Sequence, residues 1–138
     1  MTFAERGNKD AVEGGTAFQP KFDAQGLIPA IVTAADDGTV LMFAWMNRDA
    51  LARTLETREA HFWSRSRAKL WLKGEESGNR LAVQAVRADC DQDVIEVVVT
   101  VAGNGVACHT GERSCFYRAI ELDRIADGHV TLKRIETA

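Results

Sequence analysis

Every residue from Val94 to Val101 except Glu96 is β-branched. Branching at Cβ crowds a helix and suits a pleated, buried surface, so this stretch reads as a strand. Ile95, Val97, Val99 and Val101 share one face, while Val94 and Val98 add apolar contacts to the other. The chain must therefore build a β-layer around it.

Other strands fall into place around that one. Leu27 to Ala34 reads as extended, with Pro29 near its start or on an edge. Asp36-Asp37-Gly38 signals a turn, and Val40 to Met46 returns as the second arm of a hairpin. Asn47 is placed to cap a helix running to about Arg58, because its side-chain oxygen can satisfy an orphan backbone N–H. Leu51 and Leu55, four apart, share a face of that helix. Alternation resumes at His61, Leu70 to Leu72 extends it, and Leu81 to Ala88 is a further strand. Gly74 to Asn79 and Gly103-Asn104-Gly105 are breaks, and Val130 to Ile135 makes a final strand. The expected class is α+β, mainly β, with a mixed or antiparallel sheet and one or two short helices. The 138 residues fit one domain. Residues 1–17 are polar, contain Gly7, Gly14 and Gly15, and are expected to form a flexible tail that buries little, leaving a domain over 18–138.

Charge narrows the function classes. Seventeen basic against twenty acidic residues give a net charge of −3, without the basic excess of a general nucleic-acid binder. No apolar run approaches the roughly 20 residues that cross a bilayer, and Met1 to Gly15 lacks the apolar core of a secretory signal. Three cysteines are an odd number for a disulfide scaffold. A reducing cytoplasm is the expected compartment.

All three cysteines lie between positions 90 and 115, which raises the question of a metal. In Asp89-Cys90-Asp91-Gln92-Asp93, an extended backbone would send the three carboxylates to one side and Cys90 to the other. Neighbouring carboxylates repel one another unless a cation compensates, and hard oxygen donors suit Mg²⁺, Mn²⁺ or Ca²⁺. An EF-hand is excluded, since Val94 and Thr100 stand where its loop needs Gly and Glu. A solvated acidic turn is the competing reading. Cys108 and Cys115 bracket His109 to Ser114, a spacing unlike common structural zinc sites. Three thiolates would leave one tetrahedral position for water, His109 could close the shell instead, or all three could be inert core thiols.

Positive charge gathers in Ser64-Arg65-Ser66-Arg67, Lys69 and Lys73. Guanidinium forks match phosphate oxygens, and Gly74 and Gly78 would let backbone N–H groups approach an anion. The same residues also suit an exposed, solubilising strand face. Trp63 and Trp71 could stack on a base, although core packing is the commoner use, and His61 has no evident role.

Taken in order, several segments resemble the phosphoribosyl-AMP cyclohydrolase family. They are Leu27 to Ile31, Val40 to Met42, Ala44 to Asn47, Phe62 to Arg67, Leu70-Trp71, Lys73 to Glu75, Asp89 to Asp93, Ala107 to Gly111 and Ser114 to Phe116. The resemblance implies a hydrolase of histidine biosynthesis that opens the adenine ring of phosphoribosyl-AMP between N1 and C6. It implies a pseudo-barrel sheet in an intertwined homodimer, with zinc on Cys90, Cys108 and Cys115 shared across subunits. Magnesium ligands fall on Asp89, Asp91 and Asp93. On this reading His109 moves protons, and Arg65, Arg67 and Lys73 hold the phosphorylated ends of the substrate. Glu76 departs from the family pattern, where threonine is usual, and residues 1–17 lie outside it. Two rivals make different predictions. A zinc nucleobase deaminase needs H-x-E and P-C-x-x-C, neither of which occurs. A non-enzymatic, zinc-stabilised nucleotide-binding dimer would have a closed metal shell.

Overall fold

The computed structural model describes residues 1–135, so the last three positions of the expected domain lie outside the described residues. Strands β1 (Leu27–Ala34) and β2 (Val40–Asn47) form the expected hairpin, with Ala30 opposite Ala44 and Ile31 opposite Phe43. Gly38, at φ = 76°, supplies the left-handed residue of the turn. Helix α2 (Arg48–Thr57) follows at once: the Asn47 side chain accepts from the Ala50 N–H at 2.8 Å. Arg58, at φ = 59°, ends the helix. Its buried face carries Ala50, Leu51 and Thr54. The Thr54 hydroxyl donates to the Ala50 carbonyl at 2.8 Å and accepts from the His61 N–H at 2.9 Å, stitching the helix to β3.

Strands β3 (His61–Ser64), β4 (Lys69–Leu72), β5 (Leu81–Ala88) and β6 (Ile95–Val101) complete a six-stranded sheet in the order β4-β3-β2-β1-β6-β5. Only the central β1–β6 pairing is parallel. The sheet is mixed and curls into a half-barrel. Its β5 edge reaches the segment before β3, where the Ala60 N–H donates to the Leu81 carbonyl and the Val83 N–H to the Arg58 carbonyl. Inside the curl lie Ile28, Ala30 and Val32 of β1, Ile95, Val97 and Val99 of β6, and Phe62, Leu81 and Leu51. Complete burial of one such large side chain contributes about 1.5–3 kcal/mol.

Two segments add to the expected picture. Residues 1–17 are mostly exposed, yet they are not without secondary structure. Lys9–Gly14 forms a short helix, α1, capped by Asn8, with Val12 buried and Phe3 packed on the core. Phe3, Val12 and Phe18 are too sparse to show a period, so only tertiary contact reveals them. After Cys115 the chain forms β7 (Arg118–Ile120), a 3-10 helix (Leu122–Asp127) and β8 (Leu132–Arg134), a final strand shorter than expected. This ribbon stands apart from the sheet, with Ile120, Leu122, Val130 and Leu132 all exposed. Among the described residues no helix is long and apolar enough to cross a membrane.

Candidate metal and substrate site

The three carboxylates do not form the extended row that alternation suggested. Residues 89–93 fold as a turn, in which the Gln92 N–H donates to the Asp89 carbonyl at 3.1 Å. Gln92 adopts φ = 58°, a left-handed conformation rare outside glycine. One oxygen of the Asp89 side chain accepts from the Asp93 N–H at 3.0 Å and the Val94 N–H at 3.2 Å. Cys90 therefore does not project away from the acids. Ligand atoms of Asp89, Cys90 and Asp91 all lie within 4.8 Å of one another.

Crowding leaves its mark on these acids. A hydrogen bond with Asp91, then desolvation and the charge of Asp89, push Asp93 up to about 6. The same hydrogen bond holds Asp91 low. One Asp91 oxygen, Oδ1, is enclosed without any hydrogen-bond partner. Crowded carboxylates and an unsatisfied oxygen are what a hard divalent cation would relieve, and the donor set suits one.

A second cluster forms where the chain leaves β6. Backbone bonds from Ala107 to Arg113 and from Cys108 to Glu112, each 3.1 Å, make a tight hairpin. It is fastened to the β1–β2 hairpin: the Cys115 N–H donates to the Leu41 carbonyl at 2.7 Å, and the Ser114 hydroxyl to the Val40 carbonyl at 2.7 Å. The Arg113 guanidinium forks onto Asp36 at 3.1 Å and Asp37 at 2.9 Å. That fork holds the Asp37 carboxyl well below the usual carboxylate range.

Cys108 and Cys115 lie close enough to shift each other's acidity. Burial pushes the Cys108 thiol up, but the Thr110 hydroxyl and N–H, Cys115 and the charge of Lys73 together bring it below its ordinary value. The Thr110 hydroxyl donates to its sulfur at 3.0 Å. Desolvation, and then the neighbouring Cys108, push Cys115 up to about 11. Two neighbouring thiols with oppositely shifted acidity are a donor set suited to a soft cation. Cys90 does not join it: among the described residues, the three cysteines of one chain do not come together as a ligand set.

At His109 opens a cavity of about 300 Å³ lined also by Arg67, Trp71, Lys73, Glu76 and Ser77. Three of the expected residues, Arg67, Lys73 and His109, thus meet in one place. Arg65 does not. It lies over the Trp45 ring, 4.8 Å from the centroid, and lines a separate groove of about 670 Å³ with Gln25, Trp63 and Ser66. Trp71 is 37% exposed at the cavity wall rather than buried in the core. His61 is buried, with Nδ1 2.8 Å from the Glu59 carbonyl, and serves the packing of β3. Thr110 and Gln92 had no role in the sequence reading, although both sit inside recognised motifs. Nothing in residue type announces a hydroxyl on a sulfur or a left-handed glutamine.

A sequence profile of the phosphoribosyl-AMP cyclohydrolase family matches residues 42–117, more than half of the chain. The chain is 57% identical over 116 residues to the phosphoribosyl-AMP cyclohydrolase of Chelativorans sp. (strain BNC1), covering 84% of each protein. It is 59% identical over 117 residues to that of Brucella anthropi, covering 85% of this chain and 83% of the relative. For the Sinorhizobium medicae protein of the same name the identity is 57% over 124 residues, 89% of this chain and 82% of the relative.

The chain belongs to the phosphoribosyl-AMP cyclohydrolase family.

It is an enzyme, a hydrolase by family. The matched span holds the acid turn, the cysteine loop and the cavity between β4 and His109. It leaves out α1, β1 and the β7–β8 ribbon, so those parts of the molecule receive nothing from the family profile.

Proposed function

We propose that the protein hydrolyses phosphoribosyl-AMP in histidine biosynthesis, opening its adenine ring at the N1–C6 bond. Water adds to C6, the bond to N1 breaks, and N1 takes up a proton while the oxygen stays on C6 as a carboxamide. The observation that carries this reading is the convergence of charged and titratable groups at one cavity. His109, next in the chain to Cys108, lines it together with Arg67 and Lys73, and the Lys73 charge acts on both Cys108 and Cys115.

Cys108 and Cys115, together with Cys90 of the partner subunit, would hold zinc, and Asp89, Asp91 and Asp93 would hold magnesium. When bound, zinc supplies Lewis acidity able to lower the pKa of a water from ~16 towards ~7. A homodimer is part of the proposal for two reasons. Cys90 stands apart from the other thiols of its own chain, and the ribbon exposes apolar side chains that a second copy would cover. A reducing compartment such as the cytoplasm keeps these thiols free.

His109 follows a zinc-ligand candidate and faces the cavity, so its imidazole is placed to take a proton from the attacking water and deliver one to N1. Arg67 and Lys73 bind one phosphorylated end of the substrate in the cavity. Arg65, in the neighbouring groove, takes the other. Trp71 offers a flat wall for the base.

The test is incubation with phosphoribosyl-AMP, with and without chelator, following the ring-opened product by absorbance. Turnover that stops with chelator and resumes with zinc is the expected outcome. Release of ammonia would point to a deaminase, and a zinc-loaded protein without turnover would point to a binding module.

A further inference from the structure

The acid turn is held from outside by a segment that no role has yet claimed. Gln92, at its apex, is 93% removed from solvent, with 7% of its surface exposed. All of its polar groups but one meet the N-terminal segment. The side-chain oxygen accepts from the Gln19 N–H at 2.7 Å, and the amide nitrogen donates to the Val12 carbonyl at 2.9 Å. Its main-chain carbonyl accepts from the Lys21 N–H at 2.8 Å. Only its N–H turns inward, to Asp89.

A second tie runs beside the first. The Arg6 guanidinium donates to the Asp91 carbonyl at 2.6 Å and to the Gln19 carbonyl at 3.1 Å. Gln19 in turn accepts on its side-chain oxygen from the Gly7 N–H at 2.6 Å. The segment itself is anchored away from the turn: Phe3 packs against Phe18 and Phe22, and Arg48 of α2 lies 4.6 Å above the Phe22 ring.

We propose that residues 1–21 form a strap that holds the acid turn in its cation-binding shape, with Gln92 and Arg6 as the positioning residues. The inference rests on the magnesium reading above. A turn bearing three carboxylates tends to splay by mutual repulsion, and a left-handed glutamine adds to the cost of the folded shape. The turn's own bonds to Asp89 offset part of these costs. The buried amide of Gln92 offsets more, because breaking its bonds would leave the Gln19 N–H and the Val12 carbonyl unpaired. Arg6 contributes in a different way, binding the backbone of Asp91 while leaving its carboxylate free.

The test compares Gln92→Met, which keeps the side-chain volume and loses the bonds, with Arg6→Ala, which removes an exposed tie and should leave the fold intact. Two properties are read on the full-length protein. The first is hydrogen exchange, in chelator, at the Asp93 and Val94 amides that bond to Asp89. The second is Mn²⁺ affinity by electron paramagnetic resonance, with Asp91→Asn to show that the ion sits on the carboxylates. Both variants should exchange faster at those two amides, with β1 and β6 unchanged. Both should also bind Mn²⁺ about tenfold or more weakly, as loss of supporting hydrogen bonds commonly does. Unchanged exchange in both variants overturns the strap. Faster exchange with unaltered Mn²⁺ affinity overturns its connection to the cation. Failure of the wild-type protein to bind Mn²⁺, or binding that survives Asp91→Asn, instead overturns the magnesium reading and this inference with it.

Discussion

The acid turn and the cysteine loop are both short, both flank β6 and both offer metal-binding side chains, yet they are built differently. The cysteine loop closes on its own backbone and is bolted to the adjacent β1–β2 hairpin through Arg113, Ser114 and Cys115. Its two cysteines already act on each other. The acid turn has its donors clustered but its geometry strained, and it borrows support from residues more than seventy positions away. One site brings firm geometry and too few ligands; the other brings enough ligands and leans on a distant segment. Removing a ligand should therefore matter most at the first, and removing charge should matter most at the second.

The sharpest break is Cys108→Ser. Zinc content and turnover should fall together to background, while a variant that turns over normally with no bound metal would end the zinc mechanism. Next comes His109→Ala, expected to retain zinc and lose about 10²–10⁴ in kcat. If its pH–rate profile matches that of the wild type, His109 is not the proton carrier.

At the acid turn the expected sign is reversed, because losing a carboxylate helps the metal-free chain. Asp93 is raised above the ordinary carboxylate value to about 6, so the stability of its protonated form is present at low pH. It is lost as pH rises through about 6. Asp93→Asn mimics the protonated form. In chelator its advantage over the wild type should be small near pH 4, grow between pH 4 and about 6, and level off above, and thermal unfolding across that range would show it. A constant difference at every pH would remove Asp93 as the strained acid.

The smallest effect belongs to Arg113→Gln. Asp37 is held below its ordinary value, so this ion pair contributes above the usual carboxylate range and fades only as pH falls through the lower, folded value. Both groups are solvent-exposed, and the shift in melting temperature at neutral pH should be slight. A large loss of zinc in this variant would show that the loop depends on its anchor more than the backbone bonds suggest.

Much of this arrangement was legible before any coordinates. A β-branched run marked β6, and the Asp36-Asp37-Gly38 turn marked β1 and β2 on either side of it, because such chemistry suits strand or turn whatever surrounds it. Asn47 marked the start of α2 because capping is local. The acid turn was misjudged for a physical reason: alternation assumes extended backbone, and the left-handed Gln92 that breaks it is stabilised by Gln19 and Val12, far along the chain. The partition of Arg65 and Arg67 into different cavities was hidden likewise, since it depends on how β3 and β4 sit against β2. Local rules carried the elements; the site's shape came from contacts they do not see.

The parallel pairing of β1 with β6 has a consequence for how the molecule comes into being. Ala30 meets Ile95 across that seam, so the middle of the sheet joins the first third of the chain to the last. A growing polypeptide must be synthesised past Val101 before the seam can close, and such distant partners find each other slowly. Until then the hairpin and α2 wait with an open hydrophobic flank, and Cys108 and Cys115 emerge only after every strand of the six-stranded sheet.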